Sequence, residues 1–258
     1  MTSISRREVS DMFDLSGRTA IVTGGTRGIG REIAAGLAVR GARVVITGRK
    51  RDSSEAAAAE LSDFGDVIGL DCHMGDLESI SSLVDRTVER HGGIDIVINN
   101  AANSLTQPLG SLTPEAFDKS IAVNLRGPVF LVEKALPHLK AGTGSAVLNI
   151  ISPWAFMYSP QAALYAMGKN GLVAATRAMA ASYAEHGIRV NALAPGATDT
   201  DMVQNNDAEA IKAMESSSLL KRLARPEEMV PPALLLVSDA GSFITGQVLM
   251  VDGGTFPY

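Results

Sequence analysis

The sequence predicts an α/β fold, namely a doubly wound, seven-stranded parallel sheet with helices on both faces. Apolar runs that suit buried strands alternate with helical patterns along most of the chain. A glycine-rich turn, Thr23–Gly30, follows the first of these runs and leads into a helix. The chain is 46% hydrophobic and contains 25 glycines, a composition that fits a parallel sheet covered on both sides.

Each predicted strand is a short apolar run bounded by turn residues or charges. The strands are expected at Arg18–Thr23, Arg43–Thr47, Val67–Asp71, Ile94–Asn99, Ala146–Ile151, Arg189–Ala194 and Gln247–Val251. Helices are expected where apolar residues recur at helical spacing. They are Gly28–Arg40, Asp52–Leu61, a helix capped by Asp76 that runs to about His91, Thr113 to about Leu139, a helix opened by Ser159 and Pro160 that runs to about His186, and Pro226–Ser238, where Pro231 and Pro232 require a kink or a late start.

The predicted domain organisation is simple. A polar extension, residues 1–14, precedes one domain, residues 15–258. Residues 198–223 interrupt the alternation, because they are polar and helix-like without a strand. Segments of this kind on rigid α/β scaffolds are often lids over a site, and a plain surface helix is the alternative.

Composition excludes several classes of function. A net charge of −5 and a pI near 5.4 argue against nucleic acid or an anionic membrane as a partner. No apolar run spans a bilayer and the first residues lack a signal-peptide core, so a cytoplasmic location is expected. Cys72 is the only cysteine, and neither it nor the four histidines fall at metal-ligand spacing, so no metal is expected.

One tyrosine has a lysine four residues after it on a predicted helix, Tyr165 with Lys169. The two side chains share a helical face. A lysine charge about 4 Å from a phenol contributes roughly 4 kcal/mol and would lower the tyrosine pKa by about three, into the range useful for acid–base catalysis. Ser152 ends the preceding strand and could hold a carbonyl oxygen. Chance spacing on an amphipathic helix is the alternative reading.

The glycine-rich turn predicts a dinucleotide site. Glycines at 24, 28 and 30 permit a tight turn, close approach of backbone to a pyrophosphate, and close helix packing. Because no lysine follows the last glycine, a nucleoside triphosphate is not favoured. The position after the second strand, where an NAD enzyme carries a carboxylate, is Gly48, and Arg49 follows it. This favours NADP over NAD, with Arg27 as a second candidate for the 2′-phosphate; solvated surface arginines are the alternative.

Further candidates lie at the remaining strand ends. Asp71 could accept from an adenine amino group or cap a helix. Asn124 lies inside a predicted helix, and Pro128 lacks the N–H that would bond the Asn124 carbonyl. We expect that carbonyl to hold a water leading toward Lys169, with a harmless proline kink as the alternative. The carboxyl ends of the strands thus converge on one edge of the sheet.

Taken together, these residues resemble the short-chain dehydrogenase/reductase family in its branch of about 250 residues, which has a Rossmann-type fold. The resemblance rests on T-G-x-x-x-G-x-G, N-N-A, a serine thirteen residues before the tyrosine, Y-x-x-x-K, P-G-x-x-x-T and I-T-G-Q-V-L-x-V-D-G-G. These motifs stand at Thr23–Gly30, Asn99–Ala101, Ser152, Tyr165–Lys169, Pro195–Thr200 and Ile244–Gly254.

The resemblance implies hydride transfer between a nicotinamide and a carbonyl or alcohol carbon. Tyr165 would be the acid or base, Ser152 would bind the substrate oxygen, Lys169 would assist Tyr165 and hold the nicotinamide ribose, and Asn124 would position a relay water. The resemblance also implies a homotetramer, with a dimer as the alternative. The residues implied to bind the cofactor are Gly24, Thr26, Arg27, Gly28, Ile29, Gly30, Arg49, Asp71, Cys72, Asn99, Ala101, Tyr165, Lys169, Pro195, Gly196, Thr198 and Thr200.

The chain departs from the family pattern at a few positions. Alanine replaces the usual glycine at Ala102, and Thr198 replaces a more usual Ile or Val. The segment after Ser152 is rich in large apolar residues, which could line a substrate wall or belong to the core or an interface. Candidate substrate contacts are Asn103, Trp154, Tyr158 and Met202.

The sequence therefore predicts an NADP(H)-dependent oxidoreductase acting on a ketone or secondary alcohol, such as a 3-oxoacyl thioester, a sugar or another small carbonyl compound. Two other classes stay open. One is a non-catalytic dinucleotide-binding sensor or structural protein of the same fold. The other is a methyltransferase-like fold binding S-adenosylmethionine, which gives no reason for the Tyr165–Lys169 pair or for Arg49.

Overall fold

A computed structural model describes residues 11–158, 160 and 162–256. Within them, seven parallel strands form one sheet in the order β3-β2-β1-β4-β5-β6-β7. The reversal of strand order beside β1 is the mark of a doubly wound sheet, and the predicted fold class is confirmed. The strands are β1 Thr19–Val22, β2 Arg43–Gly48, β3 Val67–Asp71, β4 Ile96–Asn99, β5 Ala146–Ile150, β6 Arg189–Pro195 and β7 Val248–Val251.

Helices cover both faces of the sheet, because each crossover between parallel strands returns over one face. They are α1 Gly28–Val39, α2 Arg51–Leu61, α3 Leu77–His91, α4 Pro114–Ile121, α5 Gly127–Ala141, α6 Ala163–Tyr183, α7 Asp201–Gln204, α8 Ala208–Ser217 and α9 Val230–Val237. One buried apolar layer joins the sheet to α1, α2 and α9, and the other joins it to α3, α5 and α6. Alternate residues of each strand enter opposite layers, as in Val97 and Ile98.

Two helix starts follow their predicted caps. The Asp76 carboxylate accepts from Glu78 N–H at 2.9 Å, and the Thr113 hydroxyl accepts from Ala116 N–H at 3.2 Å. The expected late start near the paired prolines is also confirmed. A 3₁₀ turn, Pro226–Met229, comes first, and α9 then places both prolines in its first turn, where their missing N–H groups leave no helical bond unmade.

The long helix predicted from Thr113 to Leu139 is interrupted. Residues 122–126 have π-helical geometry between α4 and α5, and Gly127 N–H reaches back five residues to the Ala122 carbonyl. The sequence cause is Pro128, which cannot donate into the regular ladder. Asn124 lies in this π-helical segment and is fully buried.

The predicted start of the tyrosine helix is wrong. α6 begins at Ala163 rather than at Ser159 and Pro160. Pro160 lies in a bend, and the first helical hydrogen bond runs from Ala166 N–H to the Ala162 carbonyl at 2.8 Å. Ser159 itself lies outside the described residues.

The segment expected as a lid, residues 198–223, contains two short helices, α7 and α8, and no strand within a sheet. Thr198, at its start, forms an isolated parallel bridge with Ala224, the residue that follows its end. Leu219 N–H also donates to the Gly253 carbonyl at 2.8 Å, which fastens the end of the segment to the chain after β7. Among the residues that the structure describes, no helix has the length and apolar character needed to cross a membrane.

Candidate active site

The glycine turn between β1 and α1 has a backbone that residues with a side chain rarely adopt. Gly24 and Gly28 have φ of +64° and +56°, in the left-handed region that favours glycine. A Cβ on Gly30 would stand 2.4 Å from Asn100 Nδ2 and 2.5 Å from the Gly24 carbonyl. The predicted reasons for these glycines, a tight turn and a close backbone approach, are therefore both present.

The amino end of α1 is suited to an anion. No side chain among the described residues caps it, and its first turn contains no acidic residue. Its first N–H groups and the positive end of the helix dipole thus face the mouth of the glycine turn without a protein carboxylate. Ile29 anchors the turn by packing against the apolar layer under α1.

A residue that the sequence reasoning did not select supports this turn. Asn100 donates through Nδ2 to the Thr23 carbonyl at 2.9 Å and to the Gly24 carbonyl at 3.1 Å. The Thr23 hydroxyl in turn accepts from Asn100 N–H and Ala101 N–H, each at 3.0 Å. The end of β4 is thereby tied to the start of the glycine turn. The paired asparagines after β4 were the available sequence signal.

The end of β2 is followed by two exposed cations whose side chains have no bonding partner among the described residues, Lys50 and the residue before it, Arg49. Gly48 beside it touches the turn, since a Cβ there would lie 2.8 Å from Thr26 Cγ2. Arg27, the second candidate for a 2′-phosphate, instead forms an ion pair with Asp201 of α7 at 2.6 Å. Arg27 therefore links the glycine turn to the lid segment.

The two candidates at the end of β3 differ in accessibility. The Asp71 carboxylate is half-exposed and receives Arg86 Nη1 at 3.0 Å, and this hydrogen bond lowers its pKa. The Cys72 side chain points into the core, where burial raises its pKa to about 11. Any contact of Cys72 with a cofactor would therefore involve its backbone.

Ser152, Tyr165 and Lys169 are brought together where β5 ends against α6. The Ser152 hydroxyl hydrogen-bonds to the Tyr165 side chain. Lys169 is only 2% exposed, and its ammonium donates to the Ile150 carbonyl at 2.7 Å. The same nitrogen lies 5.6 Å from the centre of the Tyr165 ring, within cation–π range.

The expected lowering of the tyrosine pKa is not found in this arrangement. Burial raises the pKa of Tyr165 to about 12, and the hydrogen bond from Ser152 offsets only part of that effect. Burial also lowers the pKa of Lys169 to about 8. The prediction failed because it weighed the lysine charge without the desolvation of both groups, and because the ammonium is directed to Ile150.

Asn124 is held from several directions. Its Oδ1 accepts from Asn103 N–H at 3.0 Å, and its Nδ2 donates to the Asn103 carbonyl at 3.0 Å and to the Ser120 hydroxyl at 3.2 Å. Asn103 Nδ2 donates to the Lys119 carbonyl. This candidate substrate contact is thus committed to orienting Asn124. The water expected at the Asn124 carbonyl stays a prediction.

The sixth strand end lies against the glycine turn. Pro195 ends β6, and a Cβ on Gly196 would meet Asp252 Cα at 2.6 Å. Thr198 is buried, with its hydroxyl on the Gly196 carbonyl at 3.0 Å. The Thr200 methyl would stand 3.1 Å from a Cβ on Gly28. The start of the lid segment therefore borders the predicted pyrophosphate site.

Trp154 lies away from Tyr165. It lines an open depression of about 490 Å³ together with Met157, Met167 and Gly171. At 100° per residue, Met167 and Gly171 project from the opposite face of α6 to Tyr165. This placement favours the interface reading of Trp154 over the substrate wall. The other two candidate substrate contacts are exposed, Tyr158 completely and Met202 by 44%.

Known proteins resemble this chain over almost its whole length. A family model described as Enoyl-(Acyl carrier protein) reductase matches residues 24–255. The chain is also 34% identical to tropinone reductase-like 3 of Erythroxylum coca, over 99% of this chain and 98% of that protein. The chain belongs to the short-chain dehydrogenase/reductase family. It is therefore related to oxidoreductases that act on alcohol- and ketone-type substrates with nicotinamide cofactors.

Two further similar proteins show how much of the chain is shared. Dehydrogenase/reductase SDR family member 4 of Homo sapiens is 36% identical over 93% of this chain and 88% of its own length. The structure of the Pseudomonas aeruginosa RhlG/NADP active-site complex matches with a TM-score of 0.89 and 33% identity, covering 95% of this chain and 98% of that one.

Proposed function

We propose that the protein is an NADP(H)-dependent oxidoreductase that transfers a hydride between nicotinamide and a ketone or secondary alcohol. The observation that carries the proposal is the junction of β5 and α6, where the Ser152 hydroxyl, the Tyr165 phenol and the buried Lys169 ammonium meet. A bound nicotinamide supplies or accepts the hydride. The chain must then supply or remove one proton at the substrate oxygen.

Tyr165 supplies that proton in the reductive direction. A phenol whose pKa is raised to about 12 is fully protonated at neutral pH, so it enters the reaction as an acid. Ser152 already hydrogen-bonds to the same hydroxyl and can hold the substrate oxygen beside it. Oxidation of an alcohol requires the phenolate, so we expect that direction to need higher pH.

Lys169 and Asn124 support the proton donor. One N–H of the Lys169 ammonium bonds Ile150, and the remaining two are the donors proposed for the ribose hydroxyls of the cofactor. Asn124 keeps its backbone at the π-helical segment through its bonds to Asn103 and Ser120, and its proposed role is to hold the relay water.

The cofactor choice rests on the exposed arginine at the end of β2. The glycine turn and the uncapped end of α1 fit a pyrophosphate. Arg49 has no carboxylate to neutralise it among the described residues, and a guanidinium binds a phosphate through two parallel hydrogen bonds. NADP is also the ligand named for the Pseudomonas aeruginosa neighbour. These features support NADP(H), with NAD(H) as the weaker alternative.

The proposed substrate is a 3-oxoacyl thioester or another small carbonyl compound. The enzyme itself is proposed to be a cytoplasmic homotetramer. The lid segment exposes large apolar side chains, which supports a substrate with apolar surface. They are Met202, Leu219 and Leu220, at 44%, 76% and 64% exposure. Exposed apolar residues on the helices that flank the site support the assembly of subunits.

The test is NADPH oxidation against a panel of 3-oxoacyl thioesters, sugars and small ketones, with two tyrosine variants of α6. Tyr165→Phe should bind NADPH normally and lose turnover by about 10³-fold or more. Tyr183→Phe is the matched control. Tyr183 is a buried tyrosine of the same helix with its pKa also raised to about 12, but its hydroxyl bonds Glu133.

The proposal would be supported if the wild type and Tyr183→Phe both reduce a carbonyl compound and Tyr165→Phe does not. Equal turnover in both variants would remove Tyr165 from the mechanism. NADPH binding by the wild type without turnover of any carbonyl in the panel would favour the non-catalytic alternative.

A further inference from the structure

A chain of buried polar side chains crosses the apolar layer under α5 and α6. Asn99 of β4 and Asn149 of β5 are register partners, and Thr176 lies above them on α6. None of the three is more than 2% exposed. Asn99 Nδ2 donates to Asn149 Oδ1 at 2.8 Å, Asn149 Nδ2 to the Thr176 hydroxyl at 2.9 Å, and that hydroxyl to the Leu172 carbonyl at 2.8 Å.

The direction of this chain of hydrogen bonds is fixed at both ends by carbonyl groups. Asn99 Nδ2 also donates to the Pro128 carbonyl at 3.3 Å, and carbonyl oxygens only accept. Turning the Asn99 amide over would set its oxygen against the Asn149 and Pro128 oxygens, and turning the Asn149 amide over would set its NH2 group against that of Asn99. Each donor therefore has one placement, and the two strands and two helices fit together in one way.

The arrangement costs stability. Asn99 Oδ1 is buried and has no hydrogen-bond partner among the described residues, and an unpaired buried acceptor is unfavourable. An apolar packing of the same positions would avoid that cost. Buried polar networks of this kind fix position at the expense of stability.

The chain of hydrogen bonds reaches the helices that bear the candidate catalytic residues. Pro128 lies one turn beyond Asn124, and Thr176 lies two turns beyond Lys169. Along β5 and α6, three polar contacts follow one another, namely Asn149 with Thr176, the Ile150 carbonyl with Lys169, and Ser152 with Tyr165. The first contact is fully buried, and it joins α6 to β5 by a side-chain hydrogen bond.

We propose that Asn149 and Thr176 are positioning residues that set where Tyr165 and Lys169 stand relative to Ser152. The inference rests on the proposed function, since it assigns these residues to the geometry of that proton donor. Neither residue touches the reacting atoms. Their effect is exerted through the axial position and rotation of α6.

The experiment compares three threonine variants in carbonyl reduction by NADPH. Thr176→Val keeps the shape and removes the hydroxyl, and Thr176→Ser keeps the hydroxyl. Thr87→Val is the matched control, because Thr87 is equally buried on α3 and its hydroxyl also bonds the carbonyl four residues back, at 2.7 Å. Thr87 has no side-chain partner among the described residues.

We expect kcat to fall about tenfold or more in Thr176→Val, because small misplacements of reacting groups are costly. KM for NADPH should change less than about twofold, and the pH midpoint of kcat should move. Thr176→Ser should stay within about twofold of wild type, as should Thr87→Val. If Thr176→Val does not fold, Thr176→Ala removes the same hydroxyl without crowding.

The proposal would be overturned if Thr176→Val had the same kcat and the same pH midpoint as Thr87→Val. It would also be overturned if kcat fell equally in Thr176→Val and Thr176→Ser. Failure of the proposed function looks different, because it would appear in the wild type itself as absence of turnover. The ratios between variants concern only an enzyme already shown to be active.

Discussion

At the scale of single residues, Lys169 is a cation placed where burial opposes its charge. It is 2% exposed, and burial lowers its pKa from the ordinary 10.5 to about 8. Tyr165 shows the same physics with the opposite sign, since burial raises a phenol pKa. Perturbed pKa values of this kind are common at functional sites. At pH 7 the Tyr165 phenol is neutral in both the folded and the unfolded protein and carries no cost, whereas the Lys169 charge is held at a cost to folding.

This cost predicts a pH-dependent difference between the wild type and Lys169→Met. Between pH 8 and 10.5 the unfolded lysine binds a proton that the folded lysine has lost, so wild-type stability rises with pH in this window. Below pH 8 the folded lysine is protonated, so the full cost of burying its charge is present. The free energy of unfolding of the wild type, relative to that of Lys169→Met, should therefore be about 2 kcal/mol higher at pH 9.5 than at pH 7.

The measurement is denaturant unfolding without dinucleotide at both pH values. The tyrosines are common to both chains and largely cancel. Lys140→Met, which removes an exposed lysine of α5, should show no such divergence from the wild type. A constant difference between wild type and Lys169→Met across this pH range would contradict the burial of the charge.

Cofactor choice also belongs to a single residue. Arg49→Ala should lower kcat/KM for NADPH by about 10- to 100-fold, because a charge-assisted hydrogen bond contributes about 1.5–3 kcal/mol. NADH kinetics should hardly change. Arg51→Ala is the control, since Arg51 is exposed nearby but paired with Glu55 at 2.7 Å. Equal losses with NADPH and NADH would refute the role of Arg49 at the 2′-phosphate.

At the scale of elements, the sequence predicted strands and helices well because each carries its own signal. The bounds of β3 and the capped start of α3 match the expectation, since an apolar run and an Asp cap are local features. The π-helical segment was not predicted. Its cause, Pro128, was recognised, but whether a helix ends, kinks or widens at a proline depends on the packing around it.

Some features of the candidate site could likewise be predicted from the sequence and others could not. The convergence of strand ends could be predicted, because the carboxyl ends of parallel strands lie at the same side of the sheet. The partners of Arg27, Asn103 and Asn149 could not be, because each lies on an element distant in sequence. The pKa directions were missed for a related reason, since desolvation depends on the packed surroundings and the motif alone does not specify them.

The start of α5 offers a test of element packing. A Cβ on Gly127 would stand 2.0 Å from the Met74 carbonyl, a backbone atom that cannot move aside without shifting the chain after β3. Gly127→Ala should therefore destabilise the protein by about 1–3 kcal/mol or more. Turnover should also fall, because Gly127 directly follows the π-helical segment of Asn124.

Gly93→Ala is the matched control for that variant. No heavy atom lies within 4 Å of a Cβ on Gly93, and its φ is not in the left-handed region. It should be neutral or more stable by about 0.4–1 kcal/mol. Both variants are compared by denaturant unfolding at one protein concentration. Similar stability of the two would show that α5 does not approach Met74 this closely.

At the scale of the whole molecule, the two ends of the strands have different roles: the carboxyl ends form the candidate site, and the amino ends are joined to the helices that cover the sheet. The carboxyl ends of the strands gather the candidate site. At the amino ends, Arg189 donates to the Leu236 carbonyl at 2.7 Å and Arg18 pairs with Asp239 at 2.6 Å, joining the strands to the end of α9. These contacts fasten the scaffold at the end of the sheet opposite the candidate site.

The proposed homotetramer gives a prediction at this scale. Phe117, Phe130 and Met167, on α4, α5 and α6, are each 39–47% exposed, and exposed apolar residues on adjacent elements indicate an interface. Light scattering should give a mass about four times 27.0 kDa. Phe130→Asp should lower that mass, whereas Phe64→Asp, which changes an equally exposed phenylalanine after α2, should not. A monomer in the wild type would contradict the prediction.

Trp154, in the 3₁₀ turn Pro153–Ala155 beside the face of α6 opposite Tyr165, is a natural fluorescent probe in this protein. It is the only tryptophan of the chain, it is 40% exposed, and it lines the depression with Met157 and Met167. Its fluorescence emission should therefore report on the proposed contact between subunits rather than on the occupancy of the candidate site. A dilution series that follows the emission maximum would read out assembly in an unlabelled protein.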